Sequence, residues 1–71
     1  MDRSIMDKHP REYWVNLIDE WIYDEQARIM LKRHFLDGLS YEAIAEELNI
    51  SRATVYNKIT KFGTKLFKHS D

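Results

Sequence analysis

Residues 39–59 read LSYEAIAEELNISRATVYNKI, and the spacing inside this stretch decides the fold. Tyr41, Ile44, Ala45 and Leu48 recur at i, i+3, i+4 and i+7, so a helix places them on one face. Glu42, Glu46 and Glu47 read as the solvated side of that amphipathic helix. Ser40 stands where an N-cap accepts a hydrogen bond from the first turn, and Ser51 repeats the arrangement eleven residues later. Leu39 and Ile50 each precede a cap and are placed to staple onto Ile44 and Val55. Between the helices lies Asn49, a residue that tolerates the left-handed conformation. Two capped helices, a turn of about three residues and a small residue, Ala45, where the helices must approach closely make a helix-turn-helix over residues 40–61.

The second helix of the pair continues. Val55, Ile59, Phe62 and Leu66 form one stripe, which predicts a helix from Arg52 to about Lys68 with Gly63 beside the stripe. Upstream, a first helix starts near Pro10 and carries Trp14, Leu17, Ile18, Trp21 and Ile22, with Tyr13 and Val15 widening its apolar surface. A second helix follows Asp24 as N-cap, turns Ala27, Met30, Leu31, His34 and Phe35 inward, and ends at Gly38. No stretch alternates as a strand does, and the chain holds 2 Gly and 1 Pro. The predicted fold is therefore all-α: four helices containing a helix-turn-helix, without a wing. One domain is expected over residues 10–71, with a flexible polar tail at 1–9.

The chain has 71 residues, which argues against a multi-domain cofactor enzyme. Cysteine is absent, so disulfides, thiolate chemistry and zinc–cysteine sites are excluded. His9, His34 and His69 are too scattered to show metal-ligand spacing, and no phosphate-cradling glycine loop or nucleophile–histidine pairing is legible. No catalytic residue, cofactor or metal is expected. No apolar run reaches the length of a membrane span and the charged N-terminus has no signal-peptide core, so a cytoplasmic, nucleoid-associated protein is expected. The net charge of −1 conceals a division: residues 1–50 carry 6 Lys/Arg against 11 Asp/Glu, and residues 51–71 carry 5 Lys/Arg against 1 Asp. A basic C-terminal surface of this kind suits a polyanion.

With Val55 facing inward, the outward side of the last helix holds Ala53, Asn57, Thr60, Lys61, Thr64 and Lys68, flanked by Arg52, Tyr56 and Lys58. Lys and Arg attract phosphates, while Asn, Arg and Thr can read base edges. The candidate DNA-binding residues are Ser51, Arg52, Ala53, Thr54, Tyr56, Asn57, Lys58, Thr60 and Lys61. Lys65 and Lys68 are explained as favourable charge near a helix C-terminus.

Residues 24–68, and FLDGLSYEAIAEELNISRATVYNKI at 35–59 in particular, resemble region 4 of bacterial sigma factors, which reads the promoter −35 element. They are similar also to small region-4-like regulators of phages and mobile elements. The resemblance implies that Arg52, Ala53, Tyr56, Asn57 and Lys61 sit at the DNA. Asn49 stands where the family usually has Gly. Nothing resembles the sigma segments that open promoters or grip the polymerase clamp, so the chain alone is not expected to act as an initiation factor.

The expected function is sequence-specific binding of double-stranded DNA in transcription control, with helix 52–68 in the major groove. The alternatives are an adaptor that touches RNA polymerase or another regulator through the N-terminal helices, and a DNA-recognition piece of a phage packaging or recombination complex. Trp14, Ile18, Trp21, Ile29 and Leu36 are candidates for a protein interface, because the first helix is apolar on more than one side and Ile29 and Leu36 lie opposite the inward stripe of the second. Packing of these two helices on each other would absorb both excesses; a partner or a second copy forming a homodimer would do so too.

Overall fold

The computed structural model describes residues 7–70. Four α-helices follow one another, and no strand occurs among the described residues. Helix α1, Arg11–Trp21, begins one residue after Pro10, whose extended backbone serves as the cap; proline has no acceptor side chain, and none caps this helix. Helix α2, Glu25–Leu31, is closed by Asp24, whose carboxylate accepts from the Ala27 amide at 3.1 Å. Helix α3, Tyr41–Leu48, and helix α4, Arg52–Lys68, are capped by Ser40 and Ser51, each accepting from the amide three residues on.

The periodicity predicts one regular helix from Asp24 to Gly38. The structure instead continues α2 as a π-helical segment, Lys32–Leu36. There the Asp37 amide reaches the Lys32 carbonyl at 3.1 Å and the Leu39 amide reaches the Arg33 carbonyl at 2.9 Å. Gly38 then takes φ 77°, a left-handed value that suits a residue without Cβ, and the chain turns into α3.

A single apolar core lies among the helices. α4 packs mainly on α2 and α3 and more lightly on α1. Ile18, Ile22, Met30, Leu31, Ile44, Val55 and Leu66 are fully buried, and Leu39 and Ile50, the two residues placed as staples, pack against the same cluster. Gly63 is buried within α4.

The interface candidates divide. Trp14 and Ile18 are 1% and 0% exposed, so both belong to the core and neither offers a surface. The Trp14 ring meets Phe67 edge-on at 5.7 Å, and Phe67 meets Phe35 at 5.2 Å, which ties α1, α4 and the π segment together. Trp21 is half-buried and stacks flat on His69 at 3.9 Å. Leu36 is half-buried against the core, whereas Ile29 remains 38% exposed. The apolar excess of α1 is thus taken up inside the chain. Of the tail expected at 1–9, residues 1–6 lie outside the described residues; His9 stacks on Tyr13 at 3.9 Å.

Candidate nucleic-acid interface

The turn between α3 and α4 aims the last helix. Asn49 adopts φ 56°, ψ 48°, and the Ile50 amide donates to the Ala45 carbonyl at 3.0 Å. These contacts satisfy carbonyls that the end of α3 would leave open, so the chain reverses without a glycine. Ser51 then caps α4, and its hydroxyl also lies 2.8 Å from that of Thr54. Both hydroxyls are therefore committed to the start of the helix.

With Val55 and Ile59 locked into the core, the opposite side of α4 is solvent-facing. Arg52, Ala53, Tyr56, Asn57, Thr60 and Lys61 are exposed; Thr54 and Lys58 are half-buried. Most of the nominated residues thus share one surface, and it has two distinct borders. On the α3 border, Arg52 Nη1 lies 3.7 Å from Glu42 Oε1, and the Tyr56 ring meets Tyr41 edge-on at 5.6 Å. An ion pair this exposed adds little stability, but it places the first turns of α3 and α4 side by side.

On the α2 border Lys58 turns away from the surface expected of it. Its ammonium donates to Asp24 Oδ2 at 2.9 Å and to Gln26 Oε1 at 3.1 Å. The long, flexible side chain reaches back across the helix to the carboxylate that caps α2. The Lys58 hydrogen bond first, and the Ala27 amide second, hold the Asp24 carboxyl below its ordinary value. Lys58 is accordingly a brace between α2 and α4.

Asn57 makes no side-chain hydrogen bond within the described residues, and the Thr64 hydroxyl donates to the Thr60 carbonyl at 2.8 Å. Lys61 lies 5.3 Å from the ring centre of Phe62, and Lys65 lies 4.9 Å from that of Tyr23. Among the described residues neither these two lysines nor Lys68 pairs with a carboxylate.

Several acids among residues 1–50 are paired within the protein. Asp19 pairs with Lys32 at 2.8 Å, Glu47 with Arg33 at 3.0 Å, and Asp37 with Arg11 at 2.9 Å and Arg33 at 3.3 Å. Arg11 above all holds the Asp37 carboxyl below its ordinary value.

Sequence spacing did not foresee the contacts of Glu42, Tyr41, Asp24 and Gln26 with α4, because each joins residues from different helices. A hollow of about 200 Å³ on the α2 side is lined by Ile29, Lys32, Arg33 and Asp37. Among the described residues no group of three or more His, Cys, Asp or Glu is placed to hold a metal ion, and no helix is long and apolar enough to cross a membrane.

A family model described as sigma-70, region 4 matches residues 24–61, more than half of the chain. The match begins at the Asp24 cap, runs through the π segment and the helix-turn-helix, and ends at Lys61 on the exposed face of α4. No curated protein and no solved structure gives a significant match.

Proposed function

The chain belongs to the sigma-70 region 4 family of DNA-binding helix-turn-helix domains, and we propose that it is a sequence-specific double-stranded DNA-binding regulator of transcription. One observation carries this reading: α4 presents Arg52, Ala53, Tyr56, Asn57, Thr60 and Lys61 on a single exposed face whose central side chains have no partner among the described residues. A helix with such a face fits the major groove, and α3 then crosses the sugar-phosphate backbone beside it. Ser51 and Thr54 serve by starting α4 at the groove, and Lys58 by holding its orientation. Such a regulator acts in the cytoplasm, at the nucleoid.

Binding of labelled duplex across a salt series tests the proposal. Arg52, Lys61 and the lysines that follow neutralise about three to four phosphates, so log K should fall against log salt with a slope of about −3 to −4 per chain. Asn57→Ala should cost about 1–3 kcal/mol on the preferred site and little on random duplex, whereas Lys61→Ala should weaken both alike. Lys65→Ala, on a side chain laid over Tyr23, should do less than either. Affinity that stays flat from low to physiological salt would overturn the DNA-binding reading.

A second reading, contact with RNA polymerase, draws on Ile29, which stays exposed beside the hollow formed with Lys32, Arg33 and Asp37. It concerns residues of α2 and the π segment and not the exposed residues of α4, and both roles are compatible in one chain.

A further inference from the structure

The exposed face of α4 is divided lengthwise by chemistry. At about 100° per residue, Asn57, Thr60 and Thr64 fall within about 40° of Ala53, while Tyr56 and Lys61 lie about 60° and 80° to opposite sides and Arg52 about 100° away. The middle strip, Ala53, Asn57, Thr60 and Thr64, therefore carries no charge and no side chain longer than asparagine. The cations stand at the edges, Arg52 beside α3 and Lys61 on the other side. Arg52 is drawn further to its edge by Glu42 at 3.7 Å.

A helix approaches the floor of a groove only as closely as its middle side chains permit, and these are small. The cations at its edges then face the groove walls, where the phosphates are. The bases meet only the strip. Asn57, with no partner among the described residues, offers a donor and an acceptor side by side, which match N6 and N7 of adenine. Ala53 offers a methyl, and Thr64, whose hydroxyl is committed to the Thr60 carbonyl, offers another; the matching group is the thymine C5-methyl. Guanine is matched best by Arg or Lys and cytosine by a carboxylate, and the strip holds none of these. Ala53 and Asn57 stand about 6 Å apart along the helix, the reach of about two base-pair steps.

From this arrangement we infer that α4 reads a short A·T core, with Asn57 on adenine and Ala53 on a nearby thymine methyl, while Arg52 and Lys61 hold the flanking phosphates. The inference rests on the major-groove reading above and names the DNA that face takes.

The test uses the full chain and a pool of random duplexes at low salt, followed by sequencing of the bound fraction. The best duplex is then remade with single thymines replaced by uracil and single adenines by 7-deazaadenine. A·T pairs are expected at the centre of the enriched site. One uracil there should weaken binding about fourfold, the worth of one buried methyl group. One 7-deazaadenine should weaken it about tenfold, and Asn57→Ala should erase that difference. Ala53→Gly should erase the uracil penalty, with helical circular dichroism confirming the fold of each variant; the two base-analogue arms require no variant at all. A G·C centre, indifference to every uracil, or binding without enrichment of any sequence would each overturn the A·T assignment while leaving DNA binding intact. Absence of binding to the whole pool would overturn both.

Discussion

At Asp24 one carboxylate closes the N-terminus of α2 and holds Lys58 of α4 at 2.9 Å. The two contributions separate by substitution. Asp24→Asn keeps a good cap and loses the ion pair, which should cost under about 1 kcal/mol because both partners are partly solvated. Asp24→Ala loses the cap as well and should cost about 1 kcal/mol more. Urea unfolding at neutral pH measures both. The sign of the acid dependence follows from the lowered carboxyl: the folded state binds this proton more weakly than the unfolded chain does. The contribution is full above the unfolded value of 3.8 and is lost as pH falls through the lower folded value. Wild type and Asp24→Asn should therefore converge in stability at the acid end; a gap that persists there unchanged would place its origin elsewhere. The cap was legible, since aspartate before a helical run with Glu25 behind it is a local signal. The partner was not, because Lys58 lies 34 positions away and its own helix gives it only an address on the surface. Asn49 shows the opposite case: a residue read as a turn-former takes the left-handed conformation where the family usually has glycine.

The helices follow the apolar spacing wherever 3.6 residues make a turn, and depart from it where they do not. On a regular helix Ile29 and Leu36, seven apart, share a side, and both would face outward. The π segment Lys32–Leu36 spends more residues on its turn, so each residue advances less far around the axis. Leu36 is thereby brought round toward the side of Leu31 and packs against the core, while Ile29, before the segment, stays 38% exposed. Composition held no sign of this, since neither proline nor glycine interrupts residues 25–37. The consequence is measurable. Leu36→Ala should cost about 1–2 kcal/mol in chemical denaturation, a fraction of a full core truncation, whereas Ile29→Ala should stay within about 0.5 kcal/mol. Equal effects at the two positions would mean that the helix keeps its α spacing in solution. By contrast, α3 and α4 were legible almost to the residue, because Ser40, Asn49 and Ser51 mark their limits chemically.

For the molecule as a whole the question is what its apolar residues leave over for a second copy. A domain this small and without disulfides needs nearly every apolar contact for its own stability. Trp14, Leu17, Ile18 and Ile22 are all spent on the core, and Trp21 is closed over by His69. Among the described residues the large apolar side chains still well exposed are Tyr23, Ile29 and Tyr56, and they belong to three different segments: the α1–α2 connection, α2 and α4. Tyr23 is engaged by Lys65, and Tyr56 lies on the face assigned to DNA. A stable dimer hides about 800 Å² per partner around an apolar centre, roughly a sixth of the 4582 Å² accessible here. Three separated side chains do not make such a centre. Sedimentation at micromolar concentration should accordingly give the mass of one chain, and on DNA one chain should protect an asymmetric site. A two-chain mass without DNA would overturn this and would require α1 to release apolar surface that the fold now buries. Two chains on an inverted repeat, with a single chain in free solution, would overturn the second half alone, because the spacing of half-sites on the duplex would then supply the pairing that the protein surface lacks.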